Sequence, residues 1–278
     1  MFNEVLVPFN ESELSERTIA IATDLTRSVG GSMRLLVGSS DDRIGQLGQL
    51  DLAQRVADSI SIRTGLRVTI TAMVTQGFLH DELVEEAAAS ANAVLCIPAT
   101  QGGRRAAITG SMSMDVLTHL DQPVVLVGPR CEPAPLLRDG PVVVALDGSD
   151  EAERILATAS DWAHTFNRPL DLMTVLDPAT PDLVAAAAGD LQESAYVANL
   201  ARAAVAAPGD DPMYEVRHGD AAPEIIDTAV ARNAPMIAMT SHVPHGFDRL
   251  LHGSVLDDVV AKSPVPVLAI HRDENPGN

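Results

Sequence analysis

The 278-residue sequence has only two cysteines, Cys96 and Cys131, a single lysine, Lys262, and no apolar run long enough to span a bilayer. Two cysteines without C-x-x-C spacing exclude a disulfide framework. They suit a reducing compartment, where cysteine is usually a small buried apolar residue. Bases are scarce: 19 Lys and Arg face 38 Asp and Glu, a formal charge of −19. Residues 1–137 carry 10 bases against 16 acids and residues 138–278 carry 9 against 22, so no basic arm hides in the average. Nucleic acid is excluded as a partner, because its counterions are displaced by Lys and Arg. Anionic membrane surfaces are disfavoured for the same reason. A strand pattern begins at Glu4, which leaves no room for a leader peptide, and no stretch approaches the roughly 20 apolar residues of a membrane helix. The expected location is cytoplasmic.

What the sequence does contain is a repeat. Val5-Leu6-Val7-Pro8-Phe9-Asn10-Glu11-Ser12 lies over Val142-Val143-Val144-Ala145-Leu146-Asp147-Gly148-Ser149 at an offset of 137. The alignment continues with Glu16-Arg17 over Glu153-Arg154 and Leu35 over Leu172. Gly110-Ser111 then falls on Gly253-Ser254, and Gln122-Pro123-Val124 on Val265-Pro266-Val267, at an offset of 143. Matches in order along the whole chain mark a duplication. The expected domains are 1–137 and 138–278, each large enough to bury a core.

Short β-branched runs read as buried parallel strands at 4–9, 33–38, 67–74, 93–98 and 123–127, and again at 142–146, 170–176, 213–217, 235–240 and 266–271. Helical stripes lie between them, such as Leu52, Val56 and Ile60. The Ala-rich stretch 182–207 repeats that spacing through Leu183, Ala187 and Leu191. Strands alternating with helices predict an α/β fold with parallel sheets and helices on both faces. Residues 128–141, with Gly and Pro, read as the linker.

A strand ending in Asp147-Gly148-Ser149 before a helix resembles the opening of a universal stress protein domain. Met239-Thr240-Ser241-His242 through Gly253-Ser254-Val255 resembles that family's fourth strand, phosphate loop and helix start, and Pro264 to Ile270 its last strand. The resemblance implies two tandem Rossmann-like domains of the adenine nucleotide alpha hydrolase-like type. Each would be a five-stranded parallel sheet of order 3-2-1-4-5. It also implies an internal pseudo-dimer through strands near 123–127 and 266–271, pairing into homodimers, and an unidentified protein partner. The implied role is stress-response regulation without dedicated catalysis, with ATP or another adenine nucleotide as ligand and no metal beyond its accompanying Mg. The alternative is a nucleotide-independent interaction module with degenerate sites in both domains. A ligase or pyrophosphatase of the same broad fold is disfavoured, since S-G-G-x-D-S and H-I-G-H are both absent.

Nucleotide-binding members of that family carry G-x-x-G, nine residues, then G-S or G-T. Glycine lets the backbone approach phosphates, and the following helix N-terminus meets the anion. Counting back from Gly253 puts Thr240 and Val243 at the first two glycine positions, and counting back from Gly110 puts Ile97 and Thr100 there. Both repeats keep Gly-Ser and lack the leading pair, and Pro98 and Pro244 each remove a donor. A micromolar ligand is held by about −8.2 kcal/mol. Losing two contacts of roughly 1.5–3 kcal/mol each makes binding millimolar without substitutes. His242 and His245, or Gly102-Gly103-Arg104-Arg105, are candidate substitutes.

The expected ligand-binding residues are Asp147, Ser149, Thr240, His242, Gly253, Ser254 and Val255 in the second domain. Asn10, Ser12, Gly110 and Ser111 are their weaker counterparts in the first, where Asn10 replaces the family's acid. Plainer roles fit several of these. Asp147 and Ser149 suit a turn and N-cap before a helix at 150–166. Ser254 with Asp257 resembles a capping box, and Ser111 also suits a cap. His242, His245, Asp248 and His252 are not expected to hold a metal, and adjacent Ser241 and His242 do not make a catalytic dyad.

Overall fold

The computed structural model describes residues 2–39, 43–74, 79–99, 112–147, 152–176, 213–241 and 255–271. Ten strands form one sheet. They are β1 (Glu4–Phe9), β2 (Ser32–Ser39), β3 (Arg67–Val74), β4 (Ala93–Pro98), β5 (Val124–Val127), β6 (Val142–Leu146), β7 (Leu170–Leu176), β8 (Met213–His218), β9 (Ile237–Ser241) and β10 (Val267–His271). The described helices are α1 (Glu13–Val29), α2 (Arg43–Thr64), α3 (Leu79–Ala88), α4 (Met112–His119), α5 (Ala152–Phe166), α6 (Ala221–Ala231) and α7 (Val255–Lys262). The order across the sheet is β3-β2-β1-β4-β5-β10-β9-β6-β7-β8. Counted from its own first strand, each repeat runs 3-2-1-4-5, and all pairs are parallel except β5 with β10.

The strands lie within two residues of the bounds read from the sequence; the inner ones are largely buried and mostly apolar, whereas the edge strands β3 and β8 are partly exposed. Strand β9 starts at Ile237, later than the expected 235, and the Ala-rich stretch 182–207 falls outside the described residues. Helix α1 shows the local logic. Ser12 caps its start by accepting from the Ser15 N–H, and Gly30 ends it in the left-handed conformation (φ 62°). Glu13 and Glu16 in the first turn and Arg27 in the last oppose the helix dipole.

Two apolar layers sandwich the sheet. One packs Ile21 and Leu25 of α1, Ala57 of α2 and Ile155 and Trp162 of α5 on one face. The other packs Leu83 of α3, Leu117 of α4, Ile225 of α6 and Val259 of α7 on the opposite face. Both layers run through both repeats. At the seam, Val125 pairs with Leu268, its counterpart at the offset of 143, so a local two-fold axis passes through that pair. Phe2 of the first repeat stacks on Trp162 of the second at a 4.7 Å ring separation, adding a second tie across the repeats.

The linker is a fastened strap rather than a loose spacer. Cys131 and Pro135 are buried, and residues 135–137 form a 3₁₀ turn. Arg17 Nη1 donates to the carbonyls of Pro129 (3.0 Å) and Cys131 (2.7 Å), and the Glu132 N–H donates to Pro264 O at 2.9 Å. Burial pushes the Cys131 thiol up to about 12, with Arg17 and Arg138 opposing the shift and Glu132 adding to it. Burial, with a smaller contribution from Cys131, pushes Cys96 higher still. Neither thiol ionises at neutral pH, so neither is a nucleophile in the folded chain. Iodoacetamide at pH 8 is therefore expected to leave the native protein unlabelled and to add two carbamidomethyl groups in urea, as read by intact mass.

The two repeats invert the charge at one core position. In the first, Arg34 on β2 pairs with Glu4 (2.9 Å) and Glu86 (3.1 Å). Its counterpart on β7 is Asp171, completely buried. Arg232 Nε stands 2.9 Å from one Asp171 oxygen, yet neither oxygen has an aligned hydrogen bond. Glu215 on β8 joins the cluster, 3.3 Å from Arg217 and 3.7 Å from Arg232.

Candidate functional site

In each repeat the chain leaves the sheet in opposite directions at two neighbouring strand ends. Strand β1 leads to α1 on one face, whereas α4, on the way from β4 to β5, lies on the other. Strand β6 leads to α5 and β9 to α7 in the same divergent way. Such a switch point opens a crevice at the carboxyl ends of the strands, where open α/β sheets bind ligands. The β1/β4 and β6/β9 edges are therefore the two candidate sites.

Sheet register shows that counting back from the two Gly-Ser pairs does not reach equivalent positions in the two repeats. Leu6 lies beside Leu95 in the first repeat, and its counterpart Val143 lies beside Ile237 in the second. Leu95 and Ile237 are thus equivalent at an offset of 142, and Thr240 answers to Pro98 rather than to Ile97. The span from Ala99 to Gly110 is one residue shorter than that from Ser241 to Gly253, so counting across it slips the alignment by one. Continued to the strand ends, the registers set Asn10 level with Ala99 and Asp147 level with Ser241.

The two edges differ chemically. In the first, Asn10 Oδ1 accepts from the Ser12 N–H at 2.9 Å and from its hydroxyl at 2.5 Å, while the Asn10 N–H donates to Ser15 Oγ at 3.2 Å. The Ser12 hydroxyl also receives the Ser15 N–H at 3.1 Å. Asn10 and Ser12 thus form a turn-and-cap unit at the start of α1. In the second, Asp147 is exposed at the end of β6, Thr240 is half-buried, and Val255 opens α7 with its side chain exposed. Ser149, His242, Gly253 and Ser254, together with Gly110 and Ser111, lie outside the described residues. His245, Asp248, His252 and the segment Gly102–Arg105 lie outside them too. Among the described residues no group of three His, Cys, Asp or Glu is placed to hold a metal ion, and no helix is long and apolar enough to cross a membrane.

Sequence reasoning missed one pair at the second edge. Ser241, completely buried, shares a 3.3 Å hydrogen bond with His271 Nδ1 on β10, thirty residues away in sequence. The signal that could have found it is the comparison of repeats at the correct offset, which sets Ser241 against Ala99.

Comparison with known proteins gives a consistent picture. The family model described as Universal stress protein family matches residues 1–128 and again 140–271. The stress response protein NhaX of Bacillus subtilis is 28% identical over 159 residues, which cover 46% of this chain and 96% of NhaX. Among solved structures, a universal stress protein from Archaeoglobus fulgidus superposes with a TM-score of 0.72 at 19% identity, covering 98% of this chain and 99% of its own. A functionally unknown protein from Pseudomonas aeruginosa PAO1 superposes at 0.60 with 17% identity, covering 98% and 94%. These two likenesses speak for the tandem fold.

Proposed function

The chain belongs to the universal stress protein family, as two tandem units, and from that membership we propose that it is a non-catalytic stress-response protein binding ATP or another adenine nucleotide at the second repeat's β6/β9 edge. The units divide at 137/138, and the protein works as a cytoplasmic homodimer. The observation that supports the reading is the exposed carboxylate of Asp147 at the end of β6, level with Ser241 at the β6/β9 switch point, where the first repeat has the amide of Asn10. A carboxylate there accepts hydrogen bonds from the hydroxyls or amine of a nucleoside. The residues expected to serve the nucleoside are Ser149, Thr240, His242 and Val255, and those expected to serve the phosphates are Gly253 and Ser254, with Mg accompanying them. The stress-response name of the Bacillus relative points the same way.

Mass spectrometry of denatured purified protein is expected to release an adenine nucleotide, and Mg-ATP to raise the unfolding midpoint. Neither appearing sinks nucleotide binding. Asp147→Asn, which copies the first repeat, is expected to weaken Mg-ATP about tenfold or more, the worth of one charge-assisted hydrogen bond. Asn10→Asp is expected to leave affinity unchanged, and calorimetric titration of both variants decides between the edges.

The second reading is a nucleotide-independent docking module. Its supporting observation is that neither repeat has a glycine at the equivalent positions Thr240 and Pro98, nor at Ile97 reached by counting. It requires that altering Gly253 and Ser254 leave the stress phenotype intact.

A further inference from the structure

The duplication supplies an internal control, because the same fold is built twice with different residues at equivalent points. Leu95 pairs with Val124 and Ile237 with Val267, so Val124 and Val267 are equivalent and Gly128 is the counterpart of His271. The Ser241–His271 pair of the second repeat is therefore Ala99 and Gly128 in the first. Both repeats form the same strand order around these positions, with the Ala99 N–H donating to Val127 O at 2.9 Å. The fold does not require a polar pair here.

The pair also has a cost that the fold has no reason to carry. Ser241 is completely buried, and a buried hydroxyl is destabilising unless hydrogen-bonded. His271 supplies that bond from the adjacent strand, where Ser241 and His271 are directly paired in register. Alternation along β6, β9 and β10 puts Asp147, Ser241 and His271 on the sheet face shared by Ala145, Met239 and Ala269. They form a level row across three neighbouring strand ends, with Ser241 in the middle. In this order His271 stands on the far side of Ser241 from the β6 strand end. It suits a rigid support behind the rim, in which the imidazole fixes the hydroxyl of a serine that is itself completely buried.

We infer that His271 is a positioning residue of the second repeat's nucleotide site, holding the Ser241 hydroxyl in one orientation beside Asp147. This rests on the nucleotide reading above. A hydroxyl is one donor and two acceptor sites on a free rotor, and His271 occupies one of them and stops the rotation. Binding then loses less freedom, which is how a supporting residue raises affinity without touching ligand.

The test uses the full chain and four variants: His271→Ala, His271→Asn, Ser241→Ala and the Ser241→Ala/His271→Ala double. Mg-ATP affinity is read by calorimetry, and the unfolding midpoint without ligand is read alongside. His271→Ala and Ser241→Ala are each expected to weaken Mg-ATP about tenfold, the worth of one hydrogen bond. The double variant is expected to be no weaker than either single, because both remove the same interaction. His271→Asn, whose carboxamide keeps a polar atom near the place of Nδ1, is expected to recover most of the affinity, with an unfolding midpoint like that of His271→Ala. Wild-type affinity in His271→Ala, no recovery in His271→Asn, or losses that multiply in the double variant each overturn the inference while leaving the nucleotide reading standing. A wild-type chain that takes up no Mg-ATP overturns both.

Discussion

Gly128→Ala is expected to cost roughly 3 kcal/mol of stability, at the upper end for overpacking. A Cβ at Gly128 would lie 1.8 Å from the carbonyl oxygen of Val260 and 2.9 Å from its carbonyl carbon. The obstacle is the backbone of α7, which cannot swing aside as a side chain could. Gly128 leaves β5 just beyond the seam with β10, so the displaced helix would be pushed off the junction between repeats. Urea denaturation followed through Trp162, the only tryptophan, measures the loss, and an unchanged midpoint would contradict the close approach. Gly48→Ala in α2 is the control. Nothing lies within 4 Å of the added methyl there, and helix propensity predicts a gain of up to about 1 kcal/mol.

The Asp171 cluster gives the second large effect. Removing one member of a buried ion pair costs about 3–5 kcal/mol. Arg232 is 38% exposed, so solvent screening reduces the expected loss for Arg232→Met to about 2 kcal/mol at pH 7. Burial raises the Asp171 pKa, with Arg232 opposing, Glu215 adding and Arg217 opposing. The sign follows from linkage. The folded state holds the Asp171 proton more tightly than the unfolded state, so this group adds stability as pH falls through its folded pKa toward 3.8. The deficit of Arg232→Met is therefore expected to shrink on acidification, and Asp171→Asn to lack that portion of the pH slope. Urea midpoints of the three proteins from pH 8 down to about pH 4, near the unshifted value of 3.8, check this. A deficit independent of pH would show that Asp171 does not titrate in the cluster.

The fold was legible because its signals are local. The run 93–98 reads as a buried strand by composition, and the repeat carried the same assignment to 235–240, where the strand spans Ile237–Ser241. Resemblance in turn supplied the pairing of β5 with β10, whose residues contain no local cue to a partner 140 residues away. The site was less legible for two reasons. Counting through loops of unequal length set Ile97 against Thr240, whereas hydrogen-bonded register sets Pro98 there. Ser241 and His271 are separated by a whole helix, and Arg34 and Asp171 find their partners on other strands and helices, so no spacing rule joins them. The stretch 128–141 looked like a spacer because Pro and Gly signal a turn, whereas its anchoring comes from Arg17, 112 residues from Pro129.

The two-fold axis at Val125 and Leu268 has an evolutionary consequence. In an assembly of identical subunits, every substitution near such an axis appears twice, facing its own image, and must suit both places at once. Here the halves are joined in one chain, and each side of the axis mutates alone. Gly128 can make room for the Val260 carbonyl while its counterpart becomes His271, and a cation at Arg34 can become an anion at Asp171. Neither change is open to a symmetric pair without being imposed on both partners. Covalent linkage also keeps the halves at high effective concentration, so a short β5–β10 seam holds even as its flanks diverge.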